Sequence, residues 1–141
     1  MANNIGYQED PKNGSGIIRA RTTSQIRSWE LPRELKALEA LNKEFEVEFP
    51  GLYILIEGSS KVYIGEAKNL FSRLKTHITN PENKIKNWGK VLVINDGRPA
   101  SQSIFNDTVV RKGLELYLIQ LFKANKYNVV SQGEPQKMTP V

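Results

Sequence analysis

Five side chains in this sequence are of types that can move a proton and hold an anion: Tyr53, Tyr63, Arg73, His77 and Glu115. A phenol, with a reference pKa of about 10, is a poor base unless its surroundings change it. An imidazole beside it can receive its proton. A guanidinium presents a planar cationic fork to an anion. A carboxylate in apolar surroundings is costly unless paired, with a cationic side chain or with a divalent cation. Taken singly, each has an ordinary reading: strand tyrosines pack, and an Arg and a His on a helix flank form a solvated edge. Their spacing brings them toward one place.

The stretch 51–77, GLYILIEGSSKVYIGEAKNLFSRLKTH, reads as strand, turn, strand, loop and helix. Leu52, Ile54 and Ile56 alternate with Tyr53 and Leu55, and Val62 and Ile64 alternate with Tyr63, the period of strands. Residues 57–60 supply the turn. Pairing Tyr53 opposite Tyr63 puts both phenols on one face of the hairpin and the aliphatics on the other. Asn69 caps a helix over 70–79. Leu70, Phe71, Leu74 and Ile78 form its buried stripe, and Arg73 and His77, four apart, lie along one flank. A second helix spans 107–124, where apolar residues wrap most of the circumference, so it is expected to be the central buried helix. Glu115 falls among Leu118, Ile119 and Phe122. Its partner is either Arg111, one turn earlier, or a divalent cation. Gly113 in mid-helix points to a close backbone approach.

This ordered set resembles the GIY-YIG nuclease family. Gly51-Leu52-Tyr53 is similar to the first motif, with Leu in place of Ile, and Tyr63-Ile64-Gly65 matches the second. Asn69-Leu70, Arg73-Leu74 and His77 resemble the helix that carries the family's arginine. A histidine one turn after it resembles the restriction-enzyme branch. The resemblance covers residues 50–128. It implies a metal-dependent DNA endonuclease. Tyr53 would serve as base or relay and His77 as receiver of its proton. Tyr63 would position water or phosphate, and Arg73 would stabilise charge on the phosphate. Glu115 would hold one hard cation, Mg²⁺, with Mn²⁺ as a substitute. Lys68 is a candidate for tuning a tyrosine. The family's supporting asparagine corresponds to Asn128, with Asn125 as its rival. The alternative is a nucleic-acid-binding module on the same fold whose chemistry is lost or unused.

Composition bounds the rest. With 141 residues and a formal charge of +5, the chain amounts to one basic domain, which suits a polyanionic partner such as DNA. It has no cysteine, hence no disulfide framework or thiolate metal site. No apolar run approaches the roughly 18 residues of a membrane span, and the N-terminus lacks an apolar signal core. A cytoplasmic location is expected, with a homodimer and a further domain after residue 141 left open.

Residues 1–16 read as a mobile tail. Residues 17–29 read as a basic arm carrying Arg19, Arg21 and Arg27, or as a solvated lead-in. Pro32 opens a peripheral helix over 32–45, with Leu35, Leu38, Leu41 and Phe45 inward and Arg33 outward. Lys84 and Lys86 in the connection 80–87 are candidate phosphate contacts, and Trp88 anchors the sheet or stacks on a base. Residues 90–95 form a third strand. The expected architecture is α+β. A small three-stranded, mostly antiparallel sheet is flanked by helices, with an N-terminal helical extension. The expected division is a tail and helix over 1–49, the nuclease-like domain over 50–130, and a C-terminal tail or linker over 131–141.

Overall fold

A computed structural model describes the backbone of residues 6–9, 18–21, 26–45, 49–96 and 100–131. The chain runs β1 (Gly6–Glu9), β2 (Ile18–Arg21), β3 (Ile26–Pro32), α1 (Leu35–Phe45), β4 (Gly51–Glu57) and β5 (Lys61–Ala67). It continues with α2 (Leu70–Thr79), β6 (Lys90–Asp96), α3 (Thr108–Ala124) and β7 (Asn128–Ser131). The strands form one sheet in the order β1-β2-β3-β6-β4-β5-β7. Every pairing is antiparallel except β5 with β7, which is parallel.

The α+β class stands, and the sheet is larger than three strands. The expected strands β4, β5 and β6 are its centre. Flanking strands β3 and β7 extend them to a five-stranded mixed body, and β1 and β2 continue the sheet beyond β3. Residues 26–29, read as part of an arm, belong to β3, which pairs with β6 along its whole length. Its alternation is real, with Trp29 and Leu31 buried, but Arg27, Ser28 and Glu30 on the same strand disguised it. Pro32 closes β3 at a strand end, where its missing N–H does little harm, and α1 starts only at Leu35. Arg33 does not face outward. Its guanidinium lies 5.0 Å over the Trp88 ring and donates to the carbonyls of Lys86 and Trp88 at 2.9 and 3.0 Å.

The pleat sorts side chains between two layers. On one face Trp29, Leu31, Tyr53, Leu55, Tyr63, Val91 and Val93 pack against α1, α2, Ile85 and Trp88. On the other, Ile54, Ile56, Val62, Ile64 and Leu92 meet Ile119, Leu118 and Phe122 of α3. Contrary to expectation, α3 is not a central helix: only Arg111 and Ile119 are buried, and Val109, Tyr117 and Leu121 are exposed. A single sheet face can cover only one side of it. Nothing approaches Gly113, so that residue marks no close backbone contact.

Hairpin register also differs from the simplest reading. Tyr53 stands opposite Gly65, and Tyr63 opposite Leu55. The tyrosines share a face but are diagonal neighbours, two positions out of direct pairing. Among the described residues, no helix is long and apolar enough to cross a membrane.

Candidate active site

The site starts from two glycines. A Cβ on Gly51 would strike the carbonyl oxygen of Ile94 on β6, so only glycine lets β4 begin this close to its neighbour. A Cβ on Gly65 would strike the tip of the Tyr53 ring. Without that atom, Tyr53 lies across β5 toward Tyr63, with ring centroids 6.1 Å apart and planes 16° apart. The two phenols are thus brought side by side by the diagonal register and by the bare backbone at Gly65.

Helix α2 closes the cluster from above. The Asn69 side chain accepts from the Ser72 N–H at 3.0 Å and fixes the first turn. Leu70, Leu74 and His77 are its buried residues, with Phe71 and Ile78 only partly covered. His77 therefore lies in the buried stripe rather than along its flank. Its ring stands 5.4 Å from Tyr53 and 5.0 Å from Tyr63, centroid to centroid. Its Nε2 is 3.0 Å from Tyr53 Oη, a buried hydrogen bond. The Nδ1 atom is buried without a partner, and the backbone carbonyl accepts from Trp88 Nε1 at 3.2 Å. Trp88 is thus a packing anchor beneath the histidine.

Electrostatics follow from this burial. Desolvation pushes the Tyr53 phenol up to about 12, against the Arg73 guanidinium, whose charge and hydrogen bond pull it down. Tyr63 is pushed up further, by burial first, then by Tyr53 and Glu82. Burial lowers His77 below its ordinary value; Glu82 opposes that and Arg73 adds to it. Arg73 is thereby coupled to both proton-carrying groups. Glu115 on α3 is half-buried. Burial and the Glu66 charge raise its carboxyl, while Lys112 and Arg73 oppose them. Its charge also reaches Tyr53. The five expected residues are thus one electrostatic cluster, drawn from β4, β5, α2 and α3.

Arg111 is not the partner of Glu115. It is buried, and its Nε lies 2.7 Å from Glu66 Oε1. Its Nη1 donates to the Phe105 carbonyl at 2.9 Å. Lys112 Nζ holds the second Glu66 oxygen at 3.0 Å. Burial raises the Glu66 carboxyl, but Arg111 and Lys112 outweigh it and the net shift is downward. Among the described residues no ion pair closes on Glu115. A half-buried carboxylate with no bonded cation fits a hard divalent ion, which takes oxygen ligands and keeps several waters. Among the described residues, no group of three or more His, Cys, Asp or Glu could hold a metal ion, so Glu115 would act without a cluster of such ligands.

Other expected residues are scattered. Lys68 and Lys86 are exposed, in the connection between β5 and α2 and before Trp88. Lys84 is engaged: its Nζ donates to the Ser131 carbonyl at 2.6 Å, lies 3.6 Å from Glu82 and sits 5.8 Å over the Tyr63 ring. Asn128 opens β7, opposite Lys61, with an exposed side chain. Asn125 ends α3, and its side chain donates to the Leu121 carbonyl, a capping role. Arg19 and Arg21 fall on β2, and their side chains lie outside the described residues.

Sequence reading missed Glu82 and Glu66. Tyr63 Oη donates to Glu82 Oε2 at 2.8 Å. No periodicity could have found Glu82, which sits in an irregular connection after Pro81. Glu66 carried a signal: it is the one acid inside a strand whose other residues are mostly buried, so it needed a cation.

A GIY-YIG catalytic domain family model matches residues 49–128. UvrABC system protein C of Thermosipho africanus (strain TCF52B) is 33% identical over 86 residues, which cover 57% of this chain and 15% of that protein. The chain thus spans a small part of that relative's length. No solved structure matches it significantly.

Proposed function

Because this chain belongs to the GIY-YIG family of nuclease domains, we propose that it is a metal-dependent endonuclease hydrolysing DNA phosphodiester bonds. The observation that carries this reading is the buried hydrogen bond between Tyr53 Oη and His77 Nε2 at 3.0 Å, with Arg73 and Glu115 in electrostatic reach. A phenol pushed up to about 12 is scarcely ionised near neutrality. Tyr53 therefore acts as a relay rather than a standing base. It takes a proton from water as it passes its own to His77. A lowered imidazole is neutral at that pH and free to receive it.

Arg73 meets the charge that builds on the phosphate oxygens. Glu115 would hold Mg²⁺ or Mn²⁺, which when bound supplies charge neutralisation at the phosphate and the leaving oxygen. His77, one turn after Arg73, favours the restriction-enzyme-like branch of the family. The exposed Lys68 and Lys86, with Arg19 and Arg21 of β2, are proposed backbone contacts that position DNA without reading its sequence.

Supercoiled plasmid incubated with Mg²⁺, and in parallel with EDTA, tests the proposal. Nicking or linearisation with Mg²⁺ alone supports it. Salt-dependent binding without cleavage would make the chain a binding module. Neither activity would overturn both readings.

A further inference from the structure

Tyr63 has a single proton to donate, and it is spent on a carboxylate outside both tyrosine motifs. We propose that Glu82 is a positioning residue of the site, which fixes Tyr63 as a hydrogen-bond acceptor toward the substrate and sets the charge beside His77. The proposal rests on the nuclease reading for its kinetic consequence and stands apart from it for the rest.

The geometry is specific. Tyr63 Oη donates to Glu82 Oε2 at 2.8 Å, while the other Glu82 oxygen lies 3.6 Å from Lys84 Nζ. Lys84 is itself tied to the Ser131 carbonyl on β7 at 2.6 Å and lies over the Tyr63 ring. The carboxylate is thus held between the phenol and an ammonium that is anchored to the neighbouring strand. A hydroxyl has one donor and two acceptor lone pairs. With its donor committed, Tyr63 can only accept, from the Tyr53 phenol beside it or from a group that enters the site. A phosphate oxygen offers no proton, whereas water does. Tyr63 therefore orients water and does not bind phosphate.

Glu82 also faces the proton receiver. The charged and titratable groups around the imidazole are Tyr53 from β4, Tyr63 from β5, Arg73 from α2 itself, and Glu82 from the segment after α2. Lys84 reaches this group only through Glu82 and the Tyr63 ring. On the α1 side, Arg33 meets α2 at the Ile78 carbonyl, 3.4 Å away, and not at the ring. Among the described residues only Glu82 favours the imidazolium; burial and Arg73 oppose it. In the transfer, the O–H bond of Tyr53 breaks and an Nε2–H bond forms, while the proton of water passes to Tyr53 Oη. Positive charge appears on His77, and Glu82 is the carboxylate that offsets it.

His77 is the only histidine in the sequence, so its ring resonances titrate without overlap. The experiment compares wild type, Glu82→Gln and Glu82→Ala by histidine ring NMR and by the pH dependence of plasmid cleavage. Glu82→Gln keeps an oxygen that accepts from Tyr63 but removes the charge. Its His77 midpoint should fall, the acid limb of cleavage should move down with it, and the plateau rate should drop because the imidazolium loses its offsetting charge. Glu82→Ala should show the same lower midpoint and lose about a further tenfold from the plateau. In a Tyr63→Phe background the two variants should have equal plateaus. An unmoved His77 midpoint in both variants, or a wild-type plateau in Glu82→Ala, would overturn the proposal. If wild type does not cleave, the nuclease reading falls, and the NMR midpoints alone decide whether Glu82 governs His77.

Discussion

Alanine at Gly65 and alanine at Gly113 should change stability in opposite directions. At Gly65 the new methyl would meet Cζ, Oη and Cε1 of Tyr53. A ring tip can often swing aside, but this one is buried among its neighbours. Tyr63 stacks beside it and His77 holds its hydroxyl. Either the ring leaves or β4 and β5 part. Overpacking costs about 1–3 kcal/mol. Losing the hydrogen bond adds about 1 kcal/mol. The reduced backbone freedom of alanine returns about 0.5–1 kcal/mol. The net loss is about 1–3 kcal/mol, or roughly 3–12 °C in thermal midpoint for a chain of this size. Gly113 sits in mid-helix with nothing near it. There alanine should gain about 1 kcal/mol, roughly 3–4 °C. The assay is thermal unfolding of wild type and both variants in one buffer, with the His77 ring signal as the local readout. A Gly65→Ala midpoint at or above wild type, with the His77 signal unmoved, would refute the view that Tyr53 is locked over bare backbone.

Arg73→Ala should slow cleavage by about 10²–10³ with little loss of DNA affinity, because the guanidinium acts on charge that develops during reaction; equal losses in rate and affinity would make it a docking residue. Arg111→Ala should cost about 1.5–3 kcal/mol in denaturant unfolding, since it leaves Glu66 with only the exposed Lys112. The net downward shift of Glu66 means that this stability is present above the ordinary carboxyl range and lost as pH falls through the lowered value. Wild type and variant should therefore converge in acid. Glu115→Gln should abolish metal-dependent cleavage without lowering the thermal midpoint. Its carboxyl is raised, so ionising it costs stability near neutral pH, and any gain from Gln should fade in acid; full activity with a lowered midpoint would overturn the metal assignment.

The central hairpin, α2 and β6 were legible because each obeys a local rule. Period-two aliphatics mark β4, β5 and β6, and Asn69 with its following stripe marks α2. What failed was nonlocal. Strand β3 is identified by its pairing with β6, and its polar residues gave no local sign of that. Apolar residues over most of the circumference of α3 suggested a central buried helix, yet the fold offers it one sheet face, and Tyr117 and Leu121 stay in solvent. His77 was placed on a flank by helix geometry, which could not foresee that two tyrosines would cover it. Arg111 could not be ruled out as the partner of Glu115 in sequence, because the residue that takes it, Glu66, is 45 positions from Arg111.

Residues 63–66 connect these outcomes. The pleat sends Tyr63 and Gly65 to one face and Ile64 and Glu66 to the other. On the first face, the missing Cβ at Gly65 admits Tyr53 beside Tyr63 and so creates the pair that His77 joins. On the second, Glu66 takes up both cations in that part of α3, Arg111 at 2.7 Å and Lys112 at 3.0 Å. That capture neutralises the side of α3 that meets the sheet and leaves Glu115, one turn on, with no cation bonded to it among the described residues. Had Glu66 been an aliphatic residue, Arg111 would have been a buried charge in need of a carboxylate, and Glu115 is the one placed four residues along its helix. A single four-residue run thus assembles the proton-carrying cluster on one face and keeps a carboxylate available on the other.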